Sequence, residues 1–325
     1  MKSGNKDLTI ALLGAGIWGQ RILYDLRDLG VNLHVIDPDP AALERAGLSG
    51  VAHTHQTADM LSIPGLLDQI DGIVLASPAS LTADLLTDIL PTRKPVFIEK
   101  PLATSVDKLA LLKPLAHEQA FMMHVWQYHP AVRALSGLAG NGCLGEILGL
   151  RSVRTGWTSP RRDIDSLWNL GVHDLTISKA ILGHIPPLRA AQAEWHGQNI
   201  RGALVLLGDK PFHWIELSNR YADKRREIRL HGSTGVAVWR SDDDDFLTIT
   251  RGDDACAISD SESERLTVDT TPALKIELQA FCSYLLGGNP PPSSLADGFE
   301  TVARLAQISA RLAPNAPNAS PDSCQ

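Results

Sequence analysis

The sequence predicts an α/β protein, with an N-terminal doubly wound parallel sheet and a C-terminal α+β domain built on an open antiparallel sheet. Three observations carry this prediction. Up to about residue 125, short apolar runs alternate with longer helical ones, as parallel βαβ units require. Beyond His124 the strand candidates lengthen, alternate in polarity and lose regular crossover helices, which is typical of antiparallel sheets. A glycine-rich turn lies between the first apolar run and the first helix.

The parallel sheet is predicted from five short apolar runs: Leu8–Leu13, Asn32–Ile36, Gly72–Ala76, Val96–Ile98 and Ala120–His124. Between them, apolar residues that recur every three or four positions indicate helices. These helices are Trp18–Leu29, Pro40–Ala46, Ser80–Leu90 and Ser105–Glu118. Ser105 is the expected N-cap of the last helix. The segment His53-Thr54-His55 lacks metal-ligand spacing and is predicted to be surface loop.

The antiparallel sheet is predicted from seven alternating runs: Ile147–Thr155, Ala190–Gln198, Gly202–Leu207, Phe212–Asn219, Glu227–His231, Val236–Trp239 and Phe246–Thr250. Three helices accompany it: Leu167–Leu182, Pro272–Leu286 and Ala296–Leu312. Asp242–Asp245 stands between two strands, which indicates a solvated hairpin tip, with metal binding the less favoured alternative. These elements predict a first domain over residues 1–125, a second over 126–312 and a disordered tail over 313–325.

Composition limits the possible partners. The chain has 325 residues, of which 44% are hydrophobic, and a formal net charge of -7. Two folded domains are therefore expected, and nucleic acids and anionic membranes are not expected partners because both require a basic surface. The four cysteines lack the spacing of a disulfide framework or a zinc site, so no metal site is predicted. No run has the length of a signal segment or a spanning helix, and a cytoplasmic location is predicted.

The turn after the first strand is Gly14-Ala15-Gly16-Ile17-Trp18-Gly19. Each glycine has a separate physical role: Gly14 permits the tight turn, Gly16 lets backbone approach a pyrophosphate, and Gly19 lets helix and strand pack closely. An acidic residue, Asp37, ends the second strand about 20 residues further on, where the motif requires it. This context predicts a Rossmann domain that binds a dinucleotide. A glycine-rich turn without a ligand is the alternative.

Asp37 also indicates which dinucleotide binds. A carboxylate at this position accepts hydrogen bonds from the adenosine ribose and repels a 2′-phosphate. The next residues are Pro38, Asp39 and Pro40, so no following cation is placed to receive that phosphate. The sequence therefore favours NAD over NADP.

Several further motifs point to one family. They are Ala76–Ser80 (ASPAS), Glu99–Pro101 (EKP), His129–Val132 (HPAV), Gly142–Ile147 (GCLGEI) and Leu167–Leu175 (LWNLGVHDL). Together with the glycine turn and the VIDPDP of the second strand, they resemble the Gfo/Idh/MocA family, named for glucose–fructose oxidoreductase and inositol dehydrogenase. The resemblance extends to Leu312. It implies a Rossmann domain followed by an α/β domain whose open sheet mediates a homodimer or homotetramer.

The resemblance also implies roles for single residues. Lys100 corresponds to the EKP lysine that hydrogen-bonds the reacting hydroxyl, and His173 to the acid/base on the helix of the second domain. The pair suits alcohol oxidation, because histidine titrates near neutrality and an ammonium stabilises negative charge on oxygen. The expected cofactor-binding residues are Gly14, Gly16, Ile17, Trp18, Gly19, Asp37, Ser77, Pro78, Glu99 and Lys100.

On the substrate side, the sequence looks most like the branch of the family that oxidises nucleotide sugars. Arg161 and Arg162 precede Leu167-Trp168, and a second cationic cluster, Lys224-Arg225-Arg226, lies in a predicted loop. Arginines of this kind clamp a diphosphate with paired hydrogen bonds, and a solvated cationic loop is the alternative. The expected substrate-binding residues are Asn169, Arg161, Arg162 and Trp168.

Three positions depart from the pattern of the family. Asn169 and Thr176 stand where many members have Asp, and Thr82 stands where His is frequent. Asn169 still hydrogen-bonds a hydroxyl but cannot ionise. The sequence predicts an NAD-dependent oxidoreductase that transfers hydride between nicotinamide and a carbinol of a sugar or nucleotide-sugar. The alternatives are an NAD-binding sensor or scaffold without turnover, and an NAD-dependent glycoside hydrolase of the same fold.

Overall fold

Two β-sheets organise the chain. The computed structural model describes residues 8–158, 163–241, 245–253, 255 and 262–313. The elements up to residue 140 are β1 (Thr9–Leu13), α1 (Ile17–Asp28), β2 (Asn32–Ile36), α2 (Pro40–Leu48), β3 (His53–His55), α3 (Leu66–Gln69), β4 (Gly72–Leu75), α4 (Ala79–Ile89), β5 (Val96–Glu99), α5 (Val106–Leu112), β6 (Ala120–Met123) and α6 (Pro130–Gly140). The later ones are β7 (Ile147–Trp157), α7 (Val172–Leu182), β8 (Leu188–His196), β9 (Asn199–Leu207), β10 (Phe212–Ser218), β11 (Arg220–Gly232), β12 (Gly235–Trp239), β13 (Phe246–Arg251), β14 (Glu262–Thr267), α8 (Ala273–Leu285) and α9 (Leu295–Leu312).

The first sheet is parallel, with its six described strands in the order β3-β2-β1-β4-β5-β6. Helices cover both faces, so a central strand such as β4 is apolar without alternation and buried along its length. The strand order reverses between β1 and β4, which places a crevice at the C-terminal ends of these strands. The predicted doubly wound parallel sheet is confirmed.

The second sheet has the order β14-β13-β12-β11-β7-β10-β9-β8. Among the described strands, neighbours pair antiparallel except β7 and β10, which are parallel, so the predicted antiparallel sheet is mixed at this one pair. Leu150 and Ile228 on one face pack in the same apolar cluster as residues of α6 and α7. On the opposite face Leu204, Leu206 and Trp214 are exposed.

Several elements differ from the prediction. His53–His55 is the edge strand β3, not a loop, because its backbone pairs with β2. The unpredicted helix α6 begins after His129, whose ring accepts from the backbone at N2 and which is followed by a proline suited to the first helical position. β14 was also not predicted. β11 begins at Arg220, so Lys224-Arg225-Arg226 lies in a strand and not in a loop; its pairing with β7, through a register shift, overrides its polar composition.

The last two helices, α8 and α9, pack against elements that come much earlier in the chain. On α8, Leu278 and Phe281 lie in the same apolar cluster as Leu12 and Phe97 of the first sheet. The rings of Phe97 and Phe281 stack with centroids 4.9 Å apart. The N-terminal half of α9 packs in the cluster beneath β4 and β5, and its C-terminal half packs beneath β9 and β10. α9 therefore contacts both halves of the molecule.

Some predicted features fall outside the described residues. They are most of the acidic hairpin tip, at residues 242–244, the two arginines Arg161 and Arg162, and the tail from residue 314 onward. Two cysteines lie in the described part, Cys143 and Cys282, and both are free thiols. No helix in that part is both long enough and apolar enough to cross a bilayer.

Candidate active site

A cavity of about 1030 Å³ lies between the C-terminal edge of the first sheet and the covered face of the second. Its walls come from the turn between β1 and α1, the ends of β2, β4 and β5, and parts of β7, α7 and β11. It brings together these residues predicted from the sequence: Gly14, Gly16, Ile17, Trp18, Gly19, Asp37, Ser77, Pro78, Glu99, Lys100, Asn169 and His173. Segments far apart in the chain thus meet at one concave surface.

The glycine turn is shaped by close backbone contacts. Gly14 has a φ of +92°, which side chains disfavour, and a Cβ there would lie 2.5 Å from the carbonyl oxygen of Ala76. A Cβ on Gly19 would lie 2.1 Å from the carbonyl oxygen of Gly14. At Gly16, by contrast, a Cβ would meet nothing within 4 Å, because this residue borders open space. The turn therefore leaves room for a ligand at Gly16 alone of these three glycines.

The start of α1 fits a dinucleotide. Gly16 is its N-cap and supplies no side-chain hydrogen bond, so the first amides of the helix have no cap of that kind. Amides at a helix N-terminus and the helix dipole both favour a phosphate. The buried indole Nε1 of Trp18 also has no hydrogen-bond partner among the described residues. The open space at Gly16 and the uncapped amides of α1 together suit a bound pyrophosphate.

Asp37 is fixed at the end of β2 by two backbone amides. Its Oδ2 accepts from the amide of Ala15 at 2.7 Å, and its Oδ1 accepts from the amide of Asp39 at 2.8 Å. The carboxylate therefore joins the glycine turn to the second strand at the cavity wall. A ribose at this end of the cavity meets a carboxylate that is already oriented.

Lys100 and Asn169 meet across the cavity from the two halves of the chain. Lys100 Nζ lies 3.4 Å from both the backbone oxygen and Oδ1 of Asn169, and 3.8 Å from Glu99 Oε1. The lysine side chain is only 9% exposed. Asn169 stands in a π-helical turn, Leu167–Gly171, that continues directly into α7, and such turns recur at functional sites.

His173, in the first turn of α7, faces the same space as Lys100. Burial, followed by the positive charges of Lys100, Arg154 and Arg226, holds the pKa of His173 well below its usual range. The imidazole makes an edge contact with the ring of Trp126, with centroids 6.4 Å apart. A neutral imidazole in this position is able to accept a proton at neutral pH.

Residues that the sequence interpretation did not single out complete the wall. They include Arg21, Trp126, Arg154 and Thr158. His129 of the HPAV motif and Arg226 of the cationic cluster also line the cavity, Arg226 from a strand and not from the loop that was expected. Two of these residues could have been found from the alternation of side chains along their strands. Arg154 lies on the same face as buried Leu150, and Arg226 lies on the same face as Ile228. A cation on the apolar face of a strand indicates a partner or a ligand.

Three expected substrate residues are not in the described wall. Trp168 packs between the apolar clusters of the two halves and does not line the cavity. Arg161 and Arg162 lie outside the described residues. Thr82, at the position where His is frequent in the family, is buried and its hydroxyl bonds with Ser77 Oγ at 3.1 Å.

Comparison with known proteins gives partial matches in sequence. 2,7-anhydro-N-acetylneuraminate hydratase of Escherichia coli is 23% identical over 197 residues, covering 55% of this chain and 50% of that protein. Inositol 2-dehydrogenase 2 of Saccharopolyspora erythraea is 26% identical over 189 residues, covering 54% of each. The chain thus spans about half the length of the curated relatives that it matches.

Solved structures match over nearly the whole chain. UDP-N-acetylglucosamine 3-dehydrogenase GnnA of Acidithiobacillus ferrooxidans has a TM-score of 0.77 at 16% identity, over 94% of this chain and 97% of that one. A levoglucosan dehydrogenase in complex with NADH and levoglucosan has a TM-score of 0.78 at 15% identity, over 94% and 96%. At these identities the likeness shows the fold. Residues 8–127 match the model of the Gfo/Idh/MocA oxidoreductases, a family with an NAD-binding Rossmann fold.

Proposed function

We propose that this protein is an NAD-dependent oxidoreductase that transfers hydride between nicotinamide and a carbinol of a sugar or nucleotide-sugar. One observation carries the proposal. Lys100 and His173, from different halves of the chain, line the same cavity as the glycine turn and Asp37. A cofactor held by the glycine turn and Asp37 would therefore share its cavity with an amine and an imidazole. Bound NAD⁺ supplies the hydride acceptor.

The side chains of this protein divide the proton chemistry between them. The Lys100 ammonium hydrogen-bonds the substrate hydroxyl and stabilises negative charge on its oxygen as the proton leaves. An imidazole nitrogen of His173 takes that proton, since its lowered pKa keeps the ring neutral at pH 7. In the reverse direction His173 returns the proton to a carbonyl oxygen. Asn169, within 3.4 Å of Lys100 Nζ, holds the amine toward the cavity.

The test is turnover by the purified protein. NAD⁺ is supplied with a panel of neutral sugars, sugar acids, sugar phosphates and nucleotide sugars, and NADH is followed by its absorbance. The expected result is NADH formation with one class of compound and with NAD⁺ in preference to NADP⁺. Glycoside cleavage without net NADH points instead to the hydrolase alternative. Tight binding of NAD⁺ without either reaction points to the sensor alternative.

The second sheet supports a homodimer or homotetramer as the working form. Its uncovered face exposes Leu204, Leu206 and Trp214, with Trp157 and Trp195 further along the same sheet. Apolar side chains that are contiguous on one sheet face are more stable when a second surface covers them. A copy of the same sheet is the partner we propose, because identical faces pair with closed twofold symmetry.

A further inference from the structure

Arg154 and Asp174 form an ion pair behind the wall of the cavity. Nε of Arg154 donates to Oδ2 of Asp174 at 3.1 Å, and the two side chains are 5% and 0% exposed. The elements that carry them, β7 and α7, also supply Leu150 and Ile177 to one apolar cluster. Taking two charges out of water is costly, and apolar side chains in place of a buried ion pair often leave a protein equally stable. The stability of the fold therefore does not by itself account for this pair.

The pair continues to the cavity through Trp126. The guanidinium carbon of Arg154 lies 4.2 Å from the centroid of the Trp126 ring, and both residues line the cavity. His129 stacks on the same side chain, with ring centroids 4.8 Å apart and planes at 15°, and Trp239 meets it edge-on at 5.7 Å. A closely packed indole cannot change its rotamer unless its neighbours move. The position of Trp126 therefore depends on where Arg154 is held.

His173 makes an edge contact with this indole, at 6.4 Å between ring centroids. It is also the residue before Asp174 in the first turn of α7. Successive side chains of a helix point about 100° apart, so His173 lines the cavity while Asp174 reaches Arg154 on β7. One turn of α7 thus supplies both the imidazole and the carboxylate that holds the neighbouring wall.

Asp174 has no direct access to a ligand. It is fully buried and is not among the residues that line the cavity. Its other oxygen, Oδ1, is buried without a hydrogen-bond partner among the described residues. Asp174 therefore cannot touch a bound substrate and can affect it only indirectly.

We propose that Asp174 is a positioning residue: it fixes Arg154 against Trp126, and the two together hold the imidazole of His173 toward the substrate. The inference rests on the proposed function, because it concerns the base of that reaction. A base takes a proton only from within hydrogen-bond reach, so a small displacement slows the chemical step more than it weakens binding. The carboxylate of Asp174 should therefore matter for kcat and much less for the binding of NAD⁺.

The kinetic test uses Asp174→Asn, Arg154→Met and the two substitutions combined. Asp174→Asn should lower kcat at least about tenfold, with smaller changes in KM and in affinity for NAD⁺. In the Arg154→Met background it should have little further effect on kcat, because both residues act through the same contact. The combined variant loses both buried charges, so it keeps this comparison open if Asp174→Asn alone does not fold. Glu264→Gln, which breaks an ion pair with Arg251, is the matched control and should behave as wild type, since neither residue lines the cavity.

A second measurement needs no turnover. The indole N–H of Trp126 gives an NMR signal in protein made with isotope-labelled tryptophan, and Trp126→Phe assigns it among the seven tryptophans. Asp174→Asn should shift this signal in the wild-type background but not in the Arg154→Met background, and Glu264→Gln should not shift it. The inference is overturned if Asp174→Asn leaves either kcat or the Trp126 signal at its wild-type value, or if its effects are the same in both backgrounds. Absence of turnover with every compound of the panel contradicts the proposed function, and the NMR comparison still decides the role of Asp174.

Discussion

The proposed proton transfer depends on the protonation state of His173 at neutral pH. Burial and, after it, the positive charges of Lys100, Arg154 and Arg226 lower its pKa, so the imidazole is neutral and able to accept a proton. That state suits the oxidation of an alcohol, in which the base must be free before the substrate binds.

Removing either proposed proton-handling group should slow turnover with little effect on cofactor binding. Lys100→Ala and His173→Ala should each lower kcat by about 10²-fold or more, and the double variant should lose less than the product of the two effects. Affinity for NAD⁺ should be affected much less than kcat, because the glycine turn and Asp37 are untouched. Lys108→Ala is the control: it loses an ion pair with Asp84 and a hydrogen bond to the backbone oxygen of Ser80, and none of these residues lines the cavity. Full turnover in both single variants would show that the assignment is wrong.

The pH profile should respond to the charge at position 169. Because the pKa of His173 is lowered, kcat/KM for oxidation should hold above that pKa and fall as the pH drops through it. Asn169→Asp adds a negative charge near Lys100 and His173, which raises the pKa of His173 and moves the acid limb to higher pH. Asn169→Ala removes the amide without adding charge and should not shift the limb upward. If the acid limb of kcat/KM did not move in Asn169→Asp, a group other than His173 would be responsible for it.

At the scale of elements, substitutions in the turn between β1 and α1 should distinguish the residues needed for stability from those needed for binding NAD⁺. Gly16→Ala adds a Cβ into open space, so its melting temperature should stay within about 2 °C of wild type while its affinity for NAD⁺ falls at least tenfold. Gly19→Ala forces the turn apart at the Gly14 carbonyl and should lower both quantities. Differential scanning fluorimetry and calorimetry measure the two effects. If Gly16→Ala bound NAD⁺ as tightly as wild type, the pyrophosphate could not lie against Gly16.

Asp37, at the end of β2, should make the protein prefer NAD(H) to NADP(H). NAD(H) should bind at least about tenfold more tightly than NADP(H), since the fixed carboxylate of Asp37 repels a 2′-phosphate. Asp37→Ser should narrow the difference, mainly by improving the affinity for NADP(H). Asp39→Ser, which removes the next carboxylate but keeps a hydroxyl able to cap α2, should leave the preference in place. Equal affinities in the wild type would contradict the role given to Asp37.

The elements that the sequence predicted well are those whose pattern is local. Parallel strands and most of their helices appear within a few residues of their expected limits, because burial on both faces produces uninterrupted apolar runs. The exception is α5, which was expected to extend to Glu118 and ends at Leu112. β3 escaped prediction because a short edge strand such as His53–His55 is fixed by its pairing with β2 and not by its composition. β11 escaped in part for the same reason, as charged residues continue a strand that β7 holds in register.

The site was predictable where it depends on sequence motifs and not where it depends on the second sheet. The glycines, Asp37, Lys100 and His173 stand in recognisable local patterns, and the fold brings them to one cavity. Arg154 and Trp126 enter that cavity only because strands and helices far apart in the chain pack together. Trp168 shows the converse, since its place beside a motif did not put it in the wall.

At the scale of the whole molecule, the uncovered sheet face should determine assembly. Light scattering at micromolar concentration should give a mass of at least twice the 35.1 kDa of one chain. Leu204→Glu places a charge on the face, at a position 53% exposed, and should shift the mass toward that of one chain. Leu48→Glu, 84% exposed on α2, is the control and should not. A wild-type mass near that of a single chain would refute the proposed assembly.

The return of α8 to the first sheet has a consequence for the way the chain is made. Phe281 stacks on Phe97, and Leu285 packs so closely on Gly72 that a Cβ there would lie 3.0 Å from it. During synthesis, the strands of the parallel sheet emerge from the ribosome long before these side chains do. One side of the sheet's apolar core therefore stays exposed to water until residue 285 has been added. The core of the first sheet is thus completed by a helix that follows the second sheet in the chain. Recombination that exchanged only the first 127 residues with a relative would break this packing, and an exchange that respects it must carry α8 along.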